Sequence, residues 1–336
     1  MKETNGRIIR GVGGIYTVGL DGGGTVSCRA RGALRSSACD ARTAGAYHTG
    51  ARLERPLTGD RVRVALSDEA ELRILGGEVT PDAAQDGSDA VICEILPRRN
   101  ALIRPPLANL DYIFAVCASA RPAPVLTTLD KLLSIAEYNG IEPVMIIGKC
   151  ELDKNCAARI ADIYRRAGYP VFQLSCATGE GVQALAEYAA KALPGRVAAF
   201  AGASGVGKST LLNTLYPSLG LKTGGVSEKI GRGRHTTREA VLFPLPGGGY
   251  IADTPGFSLL DFESFDFFEL ESLPGTMREF VPYYGHCRYN DCTHTKEEGC
   301  AVLEAVNRGD IARERHESYL DMYSTLKSKP FRGKAK

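Results

Sequence analysis

Residues Gly202–Ser209 read G-A-S-G-V-G-K-S, directly behind the apolar run Val197–Ala201 and ahead of L-L-N-T-L-Y. This order of strand, glycine-rich loop and helix is the Walker A pattern, and it restricts the fold to a parallel α/β sheet. The spacing follows from what a phosphate chain requires. Glycines let the backbone curl so that successive N–H groups point at phosphate oxygens. Lys208 is placed to reach the β and γ phosphates, and the Ser209 hydroxyl to ligate Mg2+. A helix opening at Lys208 turns its positive end toward the anion. Gly202, Ala203, Ser204, Gly205, Val206, Gly207, Lys208, Ser209 and Thr210 are therefore the expected phosphate-side contacts.

Further nucleotide signals surround this loop. Asp253–Gly256 reads D-T-P-G after the apolar Tyr250–Ala252, about 45 residues downstream. A carboxylate at such a strand end holds Mg2+, and the glycine N–H senses the γ-phosphate, so Asp253 and Gly256 join the site. Between the two motifs, Gly231–Thr237 reads G-R-G-R-H-T-T. That polar, glycine-rich composition fits a switch loop, with Thr236 or Thr237 able to ligate Mg2+. GTPases read guanine with Asn-Lys-x-Asp; here Gly148–Glu151, G-K-C-E, follows the apolar Val144–Ile147. Lys149 fits a stem packed over the base, and Cys150 and Glu151 complete the loop. Glu151 keeps the carboxylate with one extra methylene, and Gly148 lacks the amide, so guanine affinity is expected without strict selectivity. Ser175, Cys176 and Ala177 match the second base-side loop. Both base-side loops precede the Walker A loop, the reverse of the usual order. A parallel sheet brings loops to one carboxyl edge whatever their sequence order, so the permutation need not break the site.

The first hundred residues differ in texture. Short alternating stretches (Tyr16–Val18–Leu20, Val26–Cys28–Ala30, Val62–Val64–Leu66) are separated by glycine-rich turns, predicting a small all-β barrel. Ser36–Arg52 reads as a long loop. Pro105 and Pro106 mark a boundary, after which apolar runs alternate with helical stretches as in βαβ units. Beyond about Leu270 the chain is first cysteine-rich, then helical. The expected organisation is multidomain: a barrel over 1–105, a permuted α/β P-loop domain over 106–270, and a mainly helical metal-binding domain with a basic tail over 271–336.

Cys287, Cys292, His294 and Cys300 are spaced C-x4-C-x-H-x5-C, three thiolates and an imidazole that close a tetrahedral set for one structural zinc. His286 is an alternative ligand. The absence of a signal-like N-terminus argues against a disulfide framework for the ten cysteines and for a reducing cytoplasm. No apolar run reaches the roughly 18 residues of a membrane span. With a net charge of only +2, affinity for nucleic acid must come from local patches. Arg7, Arg10, Arg29, Arg31, Arg61 and Arg63 beside the predicted strands, and five basic residues in the last ten, are the candidates.

Together the barrel, the permuted motifs and the C-x4-C-x-H-x5-C cluster resemble the RsgA (YjeQ/YloQ) family of circularly permuted, small-ribosomal-subunit-dependent GTPases. Gly59–Val62 (G-D-R-V), Ile95–Arg104 (I-L-P-R-R-N-A-L-I-R) and Gly233–Thr237 (G-R-H-T-T) carry the likeness further. The resemblance implies an OB-fold barrel, a GTPase domain and a zinc domain that dock on the 30S subunit and its 16S rRNA during late maturation. It also implies a monomer that turns GTP into GDP with Mg2+, and His235 as the residue orienting the attacking water. Phe257 occupies the position of the Ras-like glutamine and cannot do that work, so isolated turnover is expected to be slow. The rival readings are a nonenzymatic rRNA-binding assembly factor with a structural nucleotide, and a P-loop ATPase with relaxed base specificity.

Overall fold

Strict alternation in R-V-R-V-A-L sends Val62 and Val64 to one face and Arg63 to the other, the two-residue period of a strand with one wet side. The computed structural model describes residues 2–31, 55–75, 90–102, 105–220, 240–253 and 270–328, without side chains at 73–75 and 253. Contacts divide the chain into two compact units. The first comprises Met1–Tyr112, Ala192–Phe200 and Glu228–Phe257; the second comprises Ile113–Lys191, Ala201–Ser227 and Ser258–Lys336.

The first unit contains β1 (Glu3–Val12), β2 (Ile15–Leu20), β3 (Thr25–Ala30), β4 (Arg61–Leu66), helix α1 (Asp68–Leu75) and β5 (Ala90–Ile95). The five strands close into a barrel in the order β1-β2-β3-β5-β4, which leaves no unpaired edge. Bulges at Ile8/Arg10 and Arg63/Val64 supply the bends that closure needs. Ile8, Val18, Val26, Val62, Val64, Ile92 and Ile95 fill the interior, each contributing roughly 1.5–3 kcal/mol by leaving water. The alternating stretches at Tyr16–Leu20, Val26–Ala30 and Val62–Leu66 correspond to β2, β3 and β4. The sequence reading does not anticipate α1 or β5, since the eight residues of D-E-A-E-L-R-I-L carry only a short apolar pattern and A-V-I-C-E-I shows no strict alternation.

The G-D-R-V and L-P-R-R-N stretches turn out to be partners. Asp60, fully buried, receives Arg98 Nε at 2.6 Å and Nη2 at 2.7 Å, and its second oxygen also takes the Leu57 amide at 2.7 Å. Gly59 has φ +94°, and a Cβ there would stand 2.1 Å from the Ala108 carbonyl oxygen, so no other residue fits. Short strands β6 (Ala101–Leu102) and β7 (Leu107–Ala108) pair behind this knot. The unit also holds β11 (Val197–Ala201), β12 (Val241–Pro244) and β13 (Tyr250–Asp253), with β11 parallel and β12 antiparallel to β13.

In the second unit, β8 (Tyr112–Ala118), α2 (Leu126–Tyr138), β9 (Glu142–Gly148), α3 (Lys154–Arg166), β10 (Val171–Gln173) and α4 (Val182–Ala192) alternate as the sequence predicts. The strands lie in the order β10-β9-β8, and β10 is parallel to β9. Every residue of β8 is buried, the continuous apolar run of a strand covered on both faces. Asp153 caps α3 by accepting the Cys156 amide at 2.8 Å. Helix α5 (Lys208–Leu215) follows the Walker A loop; short 3-10 turns, then α6 (Ala301–Arg308) and α7 (Arg313–Lys327), complete the unit. Among the described residues, no helix is long and apolar enough to cross a membrane.

Helix α7 is tied down by charge. Arg315, 1% exposed, donates to Asp130 Oδ1 of α2 at 2.6 Å and to both oxygens of Glu279 at 2.6 and 3.1 Å. Tyr164 of α3 donates to the same Asp130 oxygen at 2.8 Å. Burial pushes the Asp130 carboxyl up, and the Arg315 guanidinium opposes that shift.

Candidate nucleotide site and metal centre

The Walker A loop has the curled backbone its glycines permit. Gly202, Gly205 and Gly207 sit at φ +150°, +78° and +102°. A Cβ on Gly202 would lie 2.1 Å from the Val116 carbonyl oxygen of β8. Val206 is buried and pins the loop from below, and the Leu211 amide bonds the Gly207 carbonyl at 2.9 Å to start α5. Lys208 Nζ donates to the loop's own carbonyls, Gly202 at 2.7 Å and Ala203 at 3.0 Å. Ser209 is half-buried one residue on, and Thr210 is exposed.

The G-K-C-E loop meets this loop, and the turn at Ser175 adjoins G-K-C-E. Lys149 adopts φ +56°, and its Nζ donates to Gly205 O at 2.7 Å and to Arg121 O at 2.6 Å. Residues 56 positions apart are thereby joined across the site. Ser119 donates its hydroxyl to Lys149 O at 2.7 Å and its amide to Gly148 O at 2.9 Å. The Cys150 amide bonds Leu174 O at 3.2 Å, linking G-K-C-E to the strand end before Ser175. Ser175 is buried and shapes the next turn, its hydroxyl accepting Thr178 N at 3.1 Å and its carbonyl accepting Gly179 N at 2.9 Å. Cys176 hydrogen-bonds Thr214 of α5; burial first, then the Glu151 carboxylate, raises its thiol. Burial and Glu151 likewise act on Cys150. Exposed Glu151 thus stands beside both base-side cysteines.

Gly148 through Glu151, Ser175 through Ala177 and Gly202 through Thr210 therefore form one cluster within the second unit. β13 ends at Asp253, one residue beyond the parallel pair Ala199↔Ala252, so β11 and β13 finish at a common edge. The Asp253 side chain and His235, Thr236, Thr237 and Gly256 lie outside the described residues. Ser119, the Arg121 carbonyl and Thr214 are absent from the sequence expectations. The one signal for Ser119 and Arg121 is that S-A-R-P begins where the wholly apolar β8 ends, the same strand-end position as the recognised loops; Thr214 lies on α5 and carries none.

The four residues of C-x4-C-x-H-x5-C bring their ligand atoms within 4.8 Å of one another. His294 Nδ1 lies 3.4 Å from Cys300 Sγ and 3.6 Å from Cys287 Sγ, and those sulfurs are 3.9 Å apart. A tetrahedral ion with bonds of about 2.0 Å to nitrogen and 2.3 Å to sulfur has edges of roughly 3.5 Å (N···S) and ~3.8 Å (S···S). The donor set therefore fits a metal of that size. Burial, with the adjacent Cys300 and Cys287 sulfurs, pushes the Cys292 thiol up to about 12, so a thiolate there calls for a cation. Burial pushes His294 down toward the neutral, ligating form.

A supporting frame holds the loop. His316 Nε2 lies 2.8 Å from His294 O, and Tyr319 donates to Thr293 O at 2.6 Å. The Tyr284 ring stacks on the His294 ring. Burial opposes ionisation of Glu297, but bonds from Thr293 and from the amides of Thr293, Thr295 and Lys296 hold its carboxyl at about 2.

The barrel arginines divide. Arg7 is buried, donating to Gly59 O at 3.2 Å with its guanidinium 5.7 Å from the Tyr250 ring centroid. Arg61 pairs with Asp21 and Arg63 with Glu94. Arg7 is thus a packing residue rather than a surface cation, whereas Arg10, Arg29 and Arg31 are exposed.

Comparison with known proteins returns one family over most of this architecture. The RsgA GTPase family model matches residues 95–263, and that of the RsgA N-terminal domain matches residues 5–74. The chain is 39% identical over 330 residues to the small ribosomal subunit biogenesis GTPase RsgA of Caldanaerobacter subterraneus subsp. tengcongensis, covering 98% of both chains. YjeQ from Thermotoga maritima superposes with a TM-score of 0.74 at 31% identity, over 98% of this chain and 100% of that one. YloQ, described as a circularly permuted GTPase, does so with a TM-score of 0.70 at 29% identity, over 98% and 97%.

Proposed function

The chain belongs to the RsgA GTPase family, and from that premise we propose that it binds the small ribosomal subunit, assists its late maturation, and hydrolyses GTP to GDP and phosphate. One observation carries the nucleotide part: Lys149 of the G-K-C-E loop bonds the carbonyl of Gly205 in the Walker A loop. That bond supports a reading in which base-side and phosphate-side loops serve one nucleotide although their sequence order is shuffled. Lys208 and the loop amides hold the phosphates, while Lys149, Glu151 and the Ser175–Ala177 turn receive the base. Ser209 and Asp253, with Thr236 or Thr237, are the residues that would hold Mg2+. When bound, that ion offsets charge on the β and γ phosphates.

His235 is proposed to orient the attacking water once the subunit orders its loop, since Phe257 offers no polar group. Cys287, Cys292, His294 and Cys300 would hold one zinc, whose role with four protein ligands is structural. The exposed Arg10, Arg29 and Arg31 and the basic tail are the proposed contacts to 16S rRNA. The protein is proposed to act as a cytoplasmic monomer, organised as a barrel (1–105), a GTPase domain (106–270) and a zinc domain (271–336).

Phosphate release from GTP, followed with and without purified small subunits, tests this reading. Stimulation by the subunit is expected, as when a partner completes a GTPase site, and a His235→Ala variant should lose it. An unstimulated rate with intact subunit binding would favour the nonenzymatic assembly factor. The Gly148 and Glu151 replacements favour a second reading on base choice alone, in which ATP competes measurably with GTP for the same site.

A further inference from the structure

The G-K-C-E loop lacks the amide that usually begins a guanine-reading loop, yet it is held firmly against the Walker A loop. The position where such a side chain would begin is open: a Cβ on Gly148 meets only Cys117 O at 3.6 Å and Val206 O at 3.7 Å. Ordinary van der Waals contact with two carbonyls leaves room for a donor but supplies no bond. What holds the loop comes from outside it. Ser119, 2% exposed at the end of β8, donates its hydroxyl to Lys149 O at 2.7 Å and its amide to Gly148 O at 2.9 Å. Between those two bonds Lys149 sits at φ +56°, a conformation a lysine does not favour unaided. In that conformation its ammonium spans Arg121 O and Gly205 O at 2.6 and 2.7 Å. The same turn lies close to the Walker A loop: a Cβ built on Gly205 would come within 3.9 Å of Pro122 Cδ.

We infer that Ser119 is a positioning residue for nucleotide binding. Its hydroxyl fixes the Lys149 backbone so that the lysine bridges the 119–122 turn to the Walker A loop, the tether that the missing side chain at 148 would otherwise supply. Ser119 touches no nucleotide itself; it acts through Lys149 and the orientation of Glu151 two residues on. The inference rests on the nucleotide reading above.

The test is the affinity of the full-length chain for a fluorescent GDP analogue, measured for wild type, Ser119→Ala, Ser119→Thr and the double variant Gly148→Asn/Ser119→Ala. One lost hydrogen bond to a strained backbone corresponds to an affinity loss of about five- to tenfold for Ser119→Ala. Ser119→Thr, which keeps the hydroxyl, should bind within about twofold of wild type by the same criterion. Gly148→Asn should recover part of the loss by rebuilding the tether from inside the loop. In subunit-stimulated hydrolysis the Ser119→Ala defect should appear in KM with kcat preserved, a split that general destabilisation does not produce. Melting of the nucleotide-free variants identifies any that fail to fold; the Gly148→Asn single variant, expected to bind more tightly than wild type, then carries the test. Wild-type affinity in Ser119→Ala, or no recovery in Ser119→Thr, overturns the inference while leaving the nucleotide reading intact. A wild-type protein that binds no guanine nucleotide defeats both.

Discussion

At the candidate nucleotide site, loops near residues 119, 149, 175 and 205 are joined by bonds that each pair a side chain with backbone, such as Lys149 Nζ to Gly205 O. At the metal centre all four ligand atoms are side-chain atoms from the single stretch Cys287–Cys300. The difference shows what each kind of site asks of a sequence. A backbone cradle needs glycines in the right places and a sheet to align its loops, and it tolerates a shuffled order. A side-chain cage needs only four residues at short spacing, with little loop-closure cost, and it tolerates almost any fold around it. The nucleotide site should therefore fail with the α/β framework, and the metal centre should fail alone.

The largest expected effect comes from emptying the cage. Zinc bound by such a set contributes ~10–16 kcal/mol to local folding. Cys292→Ala should abolish binding of the proposed zinc and open residues 284–300 to proteolysis, while GDP affinity changes less than about twofold if the sites are independent. A collapse of GDP affinity would break the contrast. Next is the tie of α7 to α2: Arg315→Ala strands the buried Asp130 and Glu279 carboxylates, costing about 3–5 kcal/mol. A sharp fall in melting temperature is expected, whereas a change of a degree or so would show that α7 does not depend on α2. Lys208→Ala should weaken GDP binding by more than roughly a hundredfold, the scale of a lost charge-assisted contact to phosphate, with zinc stoichiometry unchanged. The smallest effect belongs to Glu297→Gln, which keeps the shape but weakens charge-assisted bonds to the amides around Thr293. A loss of about 1–2 kcal/mol in the stability of the metal loop is expected by denaturant titration.

The same contrast explains what could be read in the sequence. The convergence of Cys287, Cys292, His294 and Cys300 was legible because their chemistry and spacing are side-chain facts, and the curl of the loop at 202–209 because its glycines are. The barrel strands carry a clear two-residue period in Val62–Val64–Leu66 and Val26–Cys28–Ala30. Ser119 left no such trace, since its importance lies in which carbonyl its hydroxyl meets, and that depends on where β8 and β9 end relative to each other. Arg7 misled for the mirror-image reason: alternation places it beside the strands, but only the packed fold brings Gly59 O and the Tyr250 ring to it. The partnership of Asp60 with Arg98, 38 residues apart, likewise requires the closed barrel. His316 and Tyr319 support the metal loop from one face of α7, and their spacing alone does not say what that face covers.

The most direct test of the assembled site is a crystal structure of the chain with GDP bound. The expected result has Lys208 Nζ on the β-phosphate and the Glu151 carboxylate within hydrogen-bonding distance of the guanine N–H groups, with Lys149 beneath the ring. A nucleotide whose base points away from residues 148–151 while its phosphates occupy the loop at 202–209 would contradict the convergence of the shuffled motifs on one ligand.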